Sequence, residues 1–156
     1  MKRFLAIAVA LAAGAAALAL AASASASRPV SASGGFTVTA FNETFVKQVD
    51  GNLFFSAHDF ASYTGTFAGT HVFDGTIEVF KDGSASFHGI ATFTGAVDGC
   101  GTGTVVFEVD GAADPSGTIT RDHQQTLSGK GTLPVHGSLD FVGALPALTY
   151  TGTYDC

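Results

Sequence analysis

From Gly34 to the end of the chain, apolar residues recur at every second position, with Thr, Val and Phe enriched and Gly or Asp-Gly interrupting. Period two puts alternate side chains on opposite faces of a strand. No helical stripe runs longer than a turn or two. The pattern predicts strands over Phe36–Val49, Leu53–His58, Tyr63–Ala68, Phe73–Phe80, Ala85–Val97, Thr102–Val109, Gly117–Arg121, Gly131–Val142 and Ala147–Asp155. Turns fall at Asp50-Gly51-Asn52, Lys81-Asp82-Gly83, Asp98-Gly99-Cys100 and Asp110–Ser116. Pro115, Pro134 and Pro146 suit turns or strand edges, because proline donates nothing to a ladder.

The same alternation selects a register. A three-residue loop at Lys81-Asp82-Gly83 sets Val79 opposite Ala85 and Ile77 opposite Phe87. A three-residue loop at Asp98-Gly99-Cys100 sets Phe93 opposite Val105 and Ala91 opposite Phe107. One apolar face results, and Tyr63 and Phe67 extend it. An even loop would set Ala91 against Glu108 and break that face, since a one-residue slip exchanges the two sides of a strand. The opposite face carries Glu78, His88, Thr92, Thr94 and Glu108. An apolar face with no covering helix is hidden by closure. The expected fold is therefore all-β, an antiparallel closed β-barrel of about eight strands, with a β-sandwich as the alternative.

The first 26 residues follow a different pattern. Lys2 and Arg3 precede an unbroken apolar run, Phe4–Ala22, which ends in Ala22-Ser23-Ala24-Ser25-Ala26. A basic start, an apolar middle and two overlapping A-x-A sites read as a secretory signal peptide. The run approaches the ~18 residues that cross a bilayer. Alanine is only weakly apolar, however, and small residues follow where an anchor would carry a charged stop. The expected layout is a signal peptide over 1–26, a short flexible segment over 27–33 and one barrel domain over 34–156. The location is secreted or periplasmic, with no stable membrane insertion after cleavage.

Without the leader, five bases face the thirteen acids, a net charge of −8. Such a surface repels nucleic acid and anionic membranes. Two cysteines remain, Cys100 and Cys156, and in an exported chain they read as a disulfide. It would tie the last residue to a hairpin tip and contribute about 4 kcal/mol through loop closure.

The succession "GGFTVTAFNETFVKQVDGNLFF", "YTGTFAGT", "FKDGSASFHGIATFTGAVDG" and "YTGTYD" resembles a family of small bacterial proteins of unknown function placed among the allene oxide cyclase-like, broadly calycin-like, barrels. The resemblance implies an eight-stranded barrel with a small interior, and some members of that fold are cyclases. The quoted motifs are strand and turn punctuation. No catalytic residue is carried across by them, and the fold alone does not convey the activity.

Chemistry is sparse. No G-x-S-x-G, H-E-x-x-H or EF-hand pattern occurs. His58, His71, His88, His123 and His136 are scattered, without ligand spacing, and read as surface or loop residues. No metal and no cofactor is expected. His88 falls opposite Asp110, which reads as a solvated pair. Asn42-Glu43-Thr44 is a glycosylation sequon only in a eukaryotic secretory pathway. Tyr63, Tyr150 and Tyr154 are in phase with apolar neighbours, as core aromatics or as hydroxyls lining a ligand cavity. Thr120–Lys130 is the most polar stretch and is expected as a connection or a loop over the barrel mouth, with Arg121, Asp122, His123 and Gln124 the residues to mutate once a ligand is found. The ligand-binding candidates are thus Tyr63, Tyr150, Tyr154, Arg121 and His123. The expected function is a monomeric or weakly associating exported barrel that binds an apolar or amphipathic small molecule. The alternatives are a cyclase or isomerase acting on a flexible apolar substrate, and a structural or interaction protein with a filled core.

Overall fold

The structure is a computed structural model and describes residues 28–156. Nine strands follow one another: β1 (Val30–Ala40), β2 (Glu43–Val49), β3 (Asn52–Gly65), β4 (Phe67–Val79), β5 (Ala85–Val97), β6 (Gly101–Ala113), β7 (Thr118–Thr126), β8 (His136–Ala144) and β9 (Ala147–Asp155). No helix occurs among the described residues. Each strand pairs antiparallel with its neighbour in the order β1-β9-β8-β7-β6-β5-β4-β3-β2, and β1 also pairs with β3. That last ladder closes eight strands into a barrel. The ninth, β2, continues alongside β3 beyond the closure and is exposed at every position. The closed barrel read from the alternation is the observed fold, and the sandwich is excluded.

The signal peptide expected over 1–26 lies outside the described residues. The ladder starts earlier than Gly34: Val30–Ser33 already pair with Tyr154–Thr151, and Ala32 is buried. Those residues are therefore barrel wall rather than a flexible lead-in.

The inferred registers hold. Val79 faces Ala85, Ile77 faces Phe87, Phe93 faces Val105 and Ala91 faces Phe107. Strand limits differ where polar residues broke the pattern. Phe36–Val49 is two strands, parted at Phe41-Asn42. Leu53–His58 continues through the polar His58-Asp59 step to Gly65 as one β3, and the expected Tyr63–Ala68 is cut by the Gly65-Thr66 turn, with Phe67 and Ala68 starting β4. The polar segment from Thr120 is strand β7 as far as Thr126, not a loop over the mouth. Its side chains alternate between solvent and a polar interior, so it lacks an apolar face to betray it.

Successive hairpins place the Gly65-Thr66 and Asp98-Gly99-Cys100 turns at one end of the barrel. The lumen at this end is filled. Tyr63, Phe67, Phe93, Tyr150 and Tyr154 stack mostly edge to face, with centroids 5.2–6.2 Å apart for the Tyr63–Tyr150, Phe67–Phe93 and Phe67–Tyr150 pairs. Cys100 and Cys156 form a disulfide that ties the end of β9 to the β5–β6 turn. The Tyr154 hydroxyl donates to the Asp98 carbonyl at 2.8 Å and reinforces the same junction.

Gly34 lies where β1 meets both β3 and β9, opposite Gly65 and Tyr150. A Cβ there would collide with the Thr64 carbonyl oxygen and the Tyr150 hydroxyl, which are hydrogen-bonded to each other. Backbone cannot yield as a flexible side chain can. Gly34→Ala is expected to cost about 3 kcal/mol through overpacking at the closing seam. A thermal melt within a degree or two of the wild type would show that the seam has room.

Candidate functional site

The other half of the lumen is open. A cavity of about 230 Å³ enters from the end that carries the Lys81–Ser84 and Asp114–Gly117 turns, walled by Val38, Phe73, Ile77, Phe87, Ile119 and Leu148. The in-strand glycines explain why aromatic residues leave a lumen here. The Phe73 ring lies across Gly75 and Gly89, and the Phe87 ring lies across Gly111. Without side chains beneath them, both rings fold flat against the wall. Phe45, Phe55, Ile77 and Phe87 stand opposite one another in successive ladders, so the apolar lining runs out of the mouth onto the β2–β3 extension.

The floor is polar. His71 on β4 and Asp122 and Gln124 on β7 line the cavity and are only 3%, 6% and 2% exposed. The Tyr63 hydroxyl donates to Gln124 Oε1 at 2.8 Å. His71 packs edge-on against Phe36 and Tyr63. His71 Nε2 and Asp122 Oδ1 are buried without a hydrogen-bond partner among the described residues. Burial dominates both titrations. It lowers the His71 imidazole to about 4, against a partial opposing effect of the Gln124 side chain. It raises the Asp122 carboxyl to about 7, against partial opposition from Gln124 and His123. At neutral pH the floor thus holds a neutral imidazole beside a carboxyl near half-ionisation. At the mouth, burial also raises Glu43 and Asp59, and the Asp59 charge raises Glu43 further. The Asn42 backbone N–H donates to Asp59 at 2.7 Å.

A β-bulge decides which β7 residues face in. Ala113 pairs with Ile119 but Ala112 pairs with Arg121, so Thr120 is an extra residue. Simple alternation from the buried Ile119 would turn Arg121 and His123 inward. The bulge reverses the phase and turns Asp122 and Gln124 inward, as bulges beside functional sites often do. Arg121 is on the outer surface, paired with Asp110 at 2.6 Å, and His123 is outside with Asp140 at 2.7 Å. His88 also faces Asp110 on that surface, at 4.0 Å.

The five candidates therefore do not meet in one place. Tyr63 stands behind the cavity floor. Tyr150 donates to the Thr64 carbonyl and accepts from the Phe67 N–H, and Tyr154 bonds Asp98, all in the filled half. The reading of the histidines as surface or loop residues fails for His71. It shares the phase of Phe67 and Phe73, and that phase was the signal for it. Among the described residues no group of three or more His, Cys, Asp or Glu side chains could hold a metal ion.

Tyr63→Phe removes the donor that satisfies Gln124 and leaves a buried amide oxygen bare. A loss of about 2 kcal/mol is expected in denaturant unfolding. No loss would mean that Gln124 finds another donor in the floor.

No protein-family model matches the chain, and no curated protein is detectably similar to it in sequence. Among solved structures, one from Shewanella oneidensis MR-1, a protein of unknown function from the DUF3224 family, superposes with a TM-score of 0.67 at 16% identity. The match covers 82% of this chain and 98% of that one. At that identity the likeness is one of fold: a barrel shared with a protein whose own function is unknown.

Proposed function

We propose that this protein is an exported carrier or sensor that binds one small amphipathic molecule inside the barrel. The observation that carries the reading is the contrast within a single cavity. Its walls are apolar, and its floor presents two buried polar atoms, on His71 and Asp122, that lack partners. Buried polar groups are nearly always paired, and each unpaired one costs about 1–3 kcal/mol. A ligand that buries its apolar body against the walls and hydrogen-bonds the floor removes that cost. The disulfide is compatible with an oxidising compartment, and the leader-like first 26 residues support export.

A second reading rests on Asp122 itself. A carboxyl that titrates near 7 beside a neutral imidazole can take a proton from a substrate and return it. That would suit isomerisation or cyclisation of a flexible apolar substrate. The resemblance to allene oxide cyclase-like barrels supports it at the level of fold only.

Native mass spectrometry of protein exported from a bacterial host tests the first reading. The expected spectrum shows added mass that vanishes on denaturation. A native mass equal to the bare chain, together with no uptake from a panel of amphipathic compounds, would contradict it. Conversion of a bound compound would favour the second reading.

A further inference from the structure

We infer that the cavity selects amphipathic amines, holding a ligand ammonium group between Asp122 and His71 at the floor. The inference rests on the binding reading above and adds the chemistry of the head group.

Three observations point the same way. First, the charged side chains that line the cavity are all acidic: Glu43 and Asp59 at the mouth and Asp122 at the floor, with no Lys or Arg among the lining residues. Arg121, although adjacent in sequence to Asp122, is outside on Asp110. Second, the two unpartnered atoms can both accept hydrogen bonds. Asp122 Oδ1 is a carboxyl oxygen. A neutral His71 accepts at one ring nitrogen, and in the tautomer that carries its proton on Nδ1 that nitrogen is the bare Nε2. An ammonium donates three hydrogen bonds and accepts none, so it matches both atoms. Third, acidic side chains act on the site from two neighbouring strands, although Arg121 offsets Asp110 from outside. Asp110 on β6 and Asp140 on β8 both act on Asp122, and His123 opposes them from its own strand. Tyr63 on β3 and His71 on β4 complete the titratable groups around the floor. A carboxylate or phosphate head would enter against that field. An alcohol would fit the hydrogen bonds but leave the carboxylate without a counter-charge. An ammonium stabilises the ionised carboxyl that burial alone disfavours.

The test compares three ligands with one tail. Calorimetric titrations at pH 7.5 with n-octylamine, 1-octanol and octanoate use the same eight-carbon body and differ only in the head. Octylamine is expected to bind about thirtyfold or more tightly than octanol, the scale of a desolvated charge pair, and octanoate to bind most weakly. Asp122→Asn is expected to abolish the preference for the amine while keeping octanol binding. Retained octanol binding also shows that the cavity of the variant is intact. At pH 6 the wild type is expected to release close to one proton per amine bound, seen as heats that vary with the buffer. Octanol or octanoate binding as tightly as the amine would overturn the head-group inference and leave the binding reading standing. Amine binding unchanged in Asp122→Asn would overturn it as well. If none of the three binds, both the inference and the reading beneath it fail.

Discussion

Asp122→Asn is expected to stabilise the protein at pH 8 by on the order of 4 kcal/mol and to change little at pH 4. The Asp122 carboxyl is raised from its ordinary 3.8 to about 7, with burial as the leading cause. Between those values the folded state holds a proton that the unfolded chain has already released. Stability therefore falls as pH rises through that window, and above about 7 the loss is complete. Asparagine has nearly the same shape and does not ionise, so it avoids the loss. His71 acts in the opposite sense. Its folded value is lowered from 6.5 to about 4, so its contribution is present above 6.5 and is lost as pH falls toward 4. In the wild type the two slopes oppose each other between about pH 4 and 6.5, and the profile there is expected to be shallow. In the variant only the His71 slope remains. Denaturant unfolding across pH 4–8 reads both effects. A variant less stable than the wild type at pH 8 would mean that the carboxylate has a stabilising partner in the floor. A side chain that costs stability at neutral pH fits a site shaped for something other than folding.

The second large effect is at the opposite end of the barrel. Replacing Cys100 and Cys156 by serine is expected to lower stability by about 4 kcal/mol, because the crosslink spans 56 positions of chain and restricts the unfolded state. That is a large share of the 5–15 kcal/mol typical of a domain. The loss is expected to concentrate in the seam where β9 pairs with β1 and β8. The Tyr154–Asp98 bond holds the same junction but cannot replace a covalent tie. Hydrogen exchange in the double variant is expected to rise first at Val30–Ser33 and Thr151–Tyr154, which pair with each other. A shift in the denaturant midpoint worth less than about 1 kcal/mol would show that aromatic packing alone closes the filled end.

Much of this architecture was legible as pattern. The apolar alternation through Ala85–Val109 specified the odd hairpin loops, because a one-residue slip exposes Phe93 and Phe107. The disulfide followed from two cysteines at a hairpin tip and a chain end. The site was legible only in part. Tyr63 marked one edge of it, and His71 is in phase with Phe67 and Phe73 but reads as surface because the histidines are scattered without ligand spacing. Asp122 and Gln124 stand out with Arg121 and His123 in the polar stretch, but the sequence does not separate the inward pair from the outward one. Their inward orientation depends on the bulge at Thr120, and one extra residue in a ladder leaves no mark in the composition of a polar strand. The cavity itself follows from glycines beneath Phe73 and Phe87. In sequence they look like the other interrupting glycines, and only the three-dimensional register shows which rings they receive.

The cavity ends in a buried, polar floor beneath apolar walls. Carbon-detected NMR of the Asp122 carboxyl and the His71 imidazole, titrated in one sample, tests that burial most directly. Asp122 is expected to titrate near 7 and His71 to stay neutral until about pH 4. If Asp122 instead titrates at its ordinary 3.8 and His71 at its ordinary 6.5, the floor is not buried. The cavity would then lack the buried floor that the proposed ligand site requires.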